Sequence, residues 1–176
     1  MRIIGILILL ISFFSLSVVT VGQESNFPPG TKLAPAKKVV LILSEKEYTE
    51  IDYPPRPCVY NELVNMIPSE KILVEAEVKE GKLVNLKHVD KNEHPELTIG
   101  LAFTQNQDRK NPFMMLAFEN PFDKDLKYEA GIQFHGEQGF KQTSTVLVPA
   151  KQGSYEAWPD PLTRIILRNF ELIDNK

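Results

Sequence analysis

From Ile72 to Ile173 the chain is written largely in a two-residue period, with apolar and polar side chains taking turns. The clearest stretch is Leu126, Tyr128, Ala130, Ile132 and Phe134, which alternate without a break with Lys127, Glu129, Gly131, Gln133 and His135. Successive side chains of a strand point to opposite faces, so this pattern predicts a strand with one buried face. Leu97, Ile99, Leu101 and Phe103 share one face of another strand, and Phe113 to Phe118 is apolar on both faces, as a central strand would be. Phe140 to Val148, Ser154 to Trp158 and Thr163 to Ile173 supply the remaining C-terminal strands.

A hairpin is expected upstream of these. Ile72, Val74, Ala76 and Val78 lie on one face, and Val84, Leu86 and His88 follow beyond Gly81. A three-residue loop, Lys79-Glu80-Gly81, sets Ala76 opposite Val84 and Val74 opposite Leu86, so the parity of the apolar set favours the odd loop. Nearer the N-terminus, Val39 to Leu43 reads as a strand buried on both faces, and Ser44 to Glu47 has the form of a capping box that would open one helical turn. Tyr60, Leu63, Val64 and Ile67 have the spacing of one helix face, stopped at Pro68. The prolines of Tyr53 to Cys58 require an extended, loop-like path.

These elements amount to about eight or nine short strands separated by polar turns, with little helix. The fold class that follows is all-β, an antiparallel β-sandwich of immunoglobulin-like type, with a small closed β-barrel as the alternative. Residues 38–176 form that single domain. Residues 23–37, with Pro28, Pro29, Gly30 and Pro35, read as a flexible Pro-rich leader.

The first 22 residues change the setting. Met1-Arg2 precedes an almost wholly apolar stretch from Ile3 to Val21, and Thr20-Val21-Gly22 precedes polar residues. This is the layout of a signal peptide, residues 1–22, cleaved after Gly22; an uncleaved N-terminal anchor is the alternative. The expected location is therefore secreted or periplasmic, with no membrane insertion once the signal is removed. Removing that segment takes away Arg2 alone among the charged residues, so the formal net charge of −3 becomes one unit more negative. An acidic chain without a basic stripe argues against a nucleic-acid partner. The chain carries no Asn-x-Ser/Thr sequon, which points to a bacterial envelope or secreted protein rather than a glycoprotein.

Candidate chemistry is sparse. Cys58 is the only cysteine; it is expected as a free thiol, buried as a small hydrophobe, with intermolecular pairing the alternative. His88 and His94 flank Asp90 and Glu93 within seven residues, acceptable ligand types for zinc or copper, although the segment specifies no reversal that would bring the two imidazoles together. The sequence has no GxGxxG, no P-loop, no GxSxG and no HExxH. Trp158, beside Pro159-Asp160-Pro161, reads as the plug of an open sandwich end; otherwise, with Tyr155, it makes an aromatic platform that would contact a sugar or a partner. The expectation is a non-enzymatic module without a cofactor, acting on an unknown protein partner in the envelope or outside the cell. A small-ligand or carbohydrate-binding module is the first rival, and a metal-binding module the second.

Overall fold

The structure, a computed structural model, describes Phe27 and residues 31–174. The predicted signal peptide, its cleavage site and residues 23–26 and 28–30 of the leader lie outside the described residues. Among the described residues there are twelve strands and no helix, and so no helix long and apolar enough to cross a membrane. They are β1 (Lys37–Ile42), β2 (Tyr48–Tyr53), β3 (Val59–Tyr60), β4 (Leu63–Met66), β5 (Glu70–Lys79), β6 (Lys82–Val89), β7 (Thr98–Gln105), β8 (Met114–Glu119), β9 (Asp125–Phe134), β10 (Lys141–Thr143), β11 (Gly153–Trp158) and β12 (Leu162–Ile173).

All the pairings are antiparallel. One layer runs β6-β5-β7-β8-β11, and the other runs β10-β9-β12 with β4 and β3 continuing on the far side of β12. The sheets do not close into a barrel, and the arrangement is that of a sandwich. The long strand β12 belongs to both layers. Its first half pairs with β4, its register breaks between Arg168 and Glu171 at Asn169 (φ 54°), and beyond the break Glu171 meets Lys82 of β6. A bulge of this kind bends a strand, which lets one strand turn a corner between layers.

The alternation read from the sequence becomes the core. Ile99, Leu101 and Phe103 of β7 and Met114, Leu116 and Phe118 of β8 face Leu126, Tyr128, Ala130 and Ile132 of β9, all buried. Phe118 meets Tyr128 across the layers with ring centroids 4.4 Å apart, and Tyr128 stacks on Phe170 of β12 at 6.2 Å. Each large side chain buried this way contributes about 1.5–3 kcal/mol.

Several local expectations are corrected. Tyr60 to Ile67 is not a helix: Asn61 (φ 49°) and Glu62 (φ 59°) make a two-residue turn between β3 and β4. Eight residues are too few to hold a helix unaided, whereas β4 gains a ladder with β12 and buries Val64 and Met66. Ser44 to Glu47 is a bend in which the N–H groups of Leu43 and Ser44 both donate to the Glu47 carbonyl, closing the β1–β2 hairpin. β1 is buried on both faces only at its end, where Leu41 and Ile42 are both buried; before that Val39 is buried and Val40 is 52% exposed. The hairpin after β5 has a two-residue turn, Glu80 (φ 52°) and Gly81 (φ 78°), with Lys79 opposite Lys82. Val84 therefore lies opposite Glu77 rather than Ala76, and Leu83 is buried in its place; a bulge in β6 at Asn85 (φ 53°) restores the parity beyond it, with Val74 opposite His88 rather than Leu86. Glu62 holds that bulge by accepting the Asn85 and Leu86 N–H groups, at 2.9 and 3.4 Å. Phe140 to Val148 forms only the three residues of β10 and a single bridge between Val148 and Leu126. In the described part of the predicted leader, Ala34 exchanges two backbone hydrogen bonds with Arg56, and Lys37 opens β1.

Candidate interaction surface

β11 is the last strand of its layer, and its six residues pair with β8 without a register shift. Gly153, Tyr155 and Ala157 turn outward, while Ser154, Glu156 and Trp158 turn inward. The structure therefore separates the two aromatics that the sequence placed together. Trp158 sits opposite Met114 and packs, partly buried, against the core. Tyr155 is 73% exposed on the opposite face. The inward Glu156 ties the layers together: its Oε1 accepts the Tyr128 hydroxyl at 2.5 Å and the Val146 N–H at 2.8 Å. Burial, and secondarily the Glu156 carboxylate, hold the Tyr128 phenol far above its ordinary ionisation range. The inward Ser154 hydroxyl is buried and has no hydrogen-bond partner among the described residues.

The register pools small side chains on the outer face of this layer. Leu73, Gly100 and Glu119 lie in one row across β5, β7 and β8. Lys71, Ala102, Ala117 and Tyr155 lie in the next. The small residues leave a trough of about 410 Å³ floored by Leu73, Gly100, Ala102 and Ala117, with Lys71 and Glu119 at its sides. At Gly100 a Cβ would come within 2.7 Å of the Glu119 carboxylate that lies across it, so a larger residue there would displace that side chain. Tyr155 stands beside Ala117, next to the trough.

Of the other predicted residues, His88 also lines this trough, with Asp90, while His94 and Cys58 lie elsewhere. His88 is opposite Val74 near the end of β6 and is partly buried, with Nδ1 buried and unpartnered among the described residues. Burial, followed by the positive charge of Lys32, lowers its pKa from 6.5. Lys32, Glu75, Asp90 and Glu93 share the depression beside it, and His94 is not among the residues lining that depression. His94 is exposed in the loop before β7, where its carbonyl accepts the Leu97 N–H and the Thr98 hydroxyl. No group of three or more His, Cys, Asp or Glu is placed to hold a metal ion among the described residues. Cys58 is a free thiol only 1% exposed, its pKa raised by burial and by the nearby Glu70 carboxylate.

Beside Cys58 is an arrangement the sequence did not announce. Arg56 and Glu70 form an ion pair with both residues buried. Arg56 Nη1 also donates to the Asn65 carbonyl at 2.8 Å, and Glu70 Oε2 accepts the Ile67 N–H at 2.9 Å. The pair pins the Pro-rich stretch to the start of β5. An arginine among prolines reads as a surface residue, and only the tertiary contact reveals its role.

Comparisons with protein-family models, with curated proteins and with solved structures find no match to this chain.

Proposed function

We propose that this chain is a secreted or periplasmic, non-enzymatic β-sandwich of immunoglobulin-like type that works by protein–protein contact through the outer face of β5-β7-β8-β11. The observation that carries the reading is the 73% exposed Tyr155 on an end strand, beside a smooth floor of Gly100, Ala102 and Ala117. An exposed aromatic next to a floor of small apolar side chains, with charges only at its sides, is the composition of an interface centre, where tyrosine contributes large contact area at little entropic cost. The location rests on the N-terminal pattern of a charged start, an apolar stretch and a small residue at Gly22.

The test is a photoreactive side chain installed at Tyr155 or Ala102 in the protein's own compartment, with Lys127 on the exposed side of β9 as the control. Discrete heavier species are expected from the first two positions and none from the third. Equal labelling at all three, or none anywhere, contradicts the reading. An intact mass equal to residues 23–176 is expected for the exported chain.

A second reading, a small-ligand or carbohydrate site, is favoured by the position of the Tyr155 ring beside the trough. It would use Tyr155 without Trp158, which the core holds. It predicts that a glycan panel perturbs the Tyr155 ring resonances, and silence across the panel removes it.

A further inference from the structure

A strand at the end of a sheet presents unpaired main-chain groups, and proteins usually guard such edges with charge, brevity or distortion. Most edges of this molecule are guarded. β10 has three residues and begins with Lys141. The β1–β2 hairpin carries Lys38, Glu50 and Asp52, joined by ion pairs, and the Gln105 side chain takes both the N–H and the carbonyl of Ile42 at 2.8 Å. β3 has two residues.

β11 has only one of these devices, the inward charge of Glu156, and that carboxylate is engaged within the chain by the Tyr128 hydroxyl and the Val146 N–H. The Asn120 N–H donates to the Gln152 carbonyl, so Gln152 faces β8. By the alternation of an antiparallel ladder, Ser154, Glu156 and Trp158 also bond to β8, and Gly153, Tyr155 and Ala157 direct their N–H and carbonyl groups away from it. No other described strand pairs with β11. The side chains of those three residues are neutral, the strand contains no proline, and its register has no bulge. Two of the large apolar side chains exposed to solvent belong to residues on or tied to this strand: Tyr155, and Val146 (48%), whose N–H donates to Glu156.

We infer that β11 pairs antiparallel with β11 of a second copy, about a two-fold axis at Tyr155, joining two five-stranded layers into one. The inference deepens the contact reading above and rests on it. The strand is self-complementary in this register. Tyr155 meets Tyr155 of the second copy, and Gly153 meets Ala157, for about six main-chain hydrogen bonds. On the inner face, Ser154 lies opposite Glu156 of the second copy, so a hydroxyl without a partner faces a carboxylate whose Oε2 takes no hydrogen bond among the described residues. No two like charges are opposed. A single strand edge with few apolar side chains beside it buries less than the roughly 1,200 Å² of a standard interface. The dimer is accordingly weak, with a dissociation constant on the order of micromolar or higher.

The test is sedimentation velocity of the purified chain from about 1 µM to about 1 mM, with Ala157→Pro as the variant. Proline at that position removes an N–H that points away from β8, so the ladder with β8 is kept. A concentration-dependent dimer is expected in the parent and its loss in Ala157→Pro. Independently, Tyr155→Cys is expected to form a disulfide dimer in air. The hydrogen-bonded two-fold pair places the two Cα atoms about 5.5 Å apart, within disulfide reach, and Cys58 is too buried to compete. Ala102→Cys, on the same face but two strands in from the edge, is the collision control. A parent that is monomeric throughout, a dimer indifferent to Ala157→Pro, or cross-linking of Tyr155→Cys no faster than of Ala102→Cys overturns the inference. A monomer whose Tyr155 position still cross-links to a different protein in its compartment overturns self-pairing and leaves the contact reading standing.

Discussion

The Arg56–Glu70 pair is the residue whose removal the structure makes most consequential. Both partners are buried, and Glu70 also receives the Ile67 N–H. Glu70→Ala leaves a buried guanidinium without its counter-charge, a loss of about 3–5 kcal/mol. Arg56→Met combined with Glu70→Leu removes both charges together and is expected to recover much of that loss. Urea titrations of the two variants check this, and a Glu70→Ala protein as stable as the parent contradicts it. His88 gives a pH dependence with a definite sign. Its folded-state pKa lies below 6.5, so on acidification the unfolded chain takes up the proton before the folded one does. Stability is therefore full above about pH 6.5 and falls as the pH drops through the folded-state value. Lys32 and Arg56 favour the neutral imidazole, while Asp90 and Glu70 oppose them. The unfolding midpoint of His88→Gln should fall less between about pH 7.5 and about pH 5 than that of the parent; equal falls contradict the assignment.

At the scale of elements, the β5–β6 hairpin shows how one pattern admits two structures. An odd loop turns Val84, Leu86 and His88 to the face of Ile72 to Val78, whereas an even loop followed by a bulge turns Leu83 inward and returns only Leu86 and His88 to that face. The chain takes the second course. Glu80 and Gly81 supply the two positive φ values of a tight turn, and Asn85 accepts the third. The signal was present in Asn85, since asparagine tolerates the left-handed region, but nothing nearby in the sequence shows that Glu62, 23 residues away, holds the bulge. Asn85→Val places a β-branched residue at φ 53° and removes the bond from Asn85 Nδ2 to Glu77. The expected cost is about 1–3 kcal/mol, with Asn85→Gly closer to the parent. Thermal unfolding checks the order, and Val tolerated as well as Gly contradicts the account of the bulge. The same limitation explains Tyr60 to Ile67. Its spacing matched one helix face, but the ladder offered by β12 lies about a hundred residues further on and leaves no local trace.

For the molecule as a whole, β7 and β9 were legible because their apolar alternation reappears in the core, and β8 because its continuous apolar run, Met114, Leu116 and Phe118 inward and Met115 and Ala117 outward, fits a central strand. The outer face of the β5-β7-β8-β11 layer was not legible. Gly100, Ala102 and Ala117 come from different strands and become one surface only in register. Nor could the sequence separate Tyr155 from Trp158 until the position of β11 fixed which face was the core. Residue-resolved amide hydrogen exchange of the dilute protein tests whether β11 is an open edge that contact closes. The Ser154, Glu156 and Trp158 amides, bonded to β8, should be protected, and those of Gly153, Tyr155 and Ala157 should exchange rapidly, with protection spreading to them as the protein is concentrated. Uniform protection along the strand in dilute solution would mean that the edge is already covered, and would contradict the account.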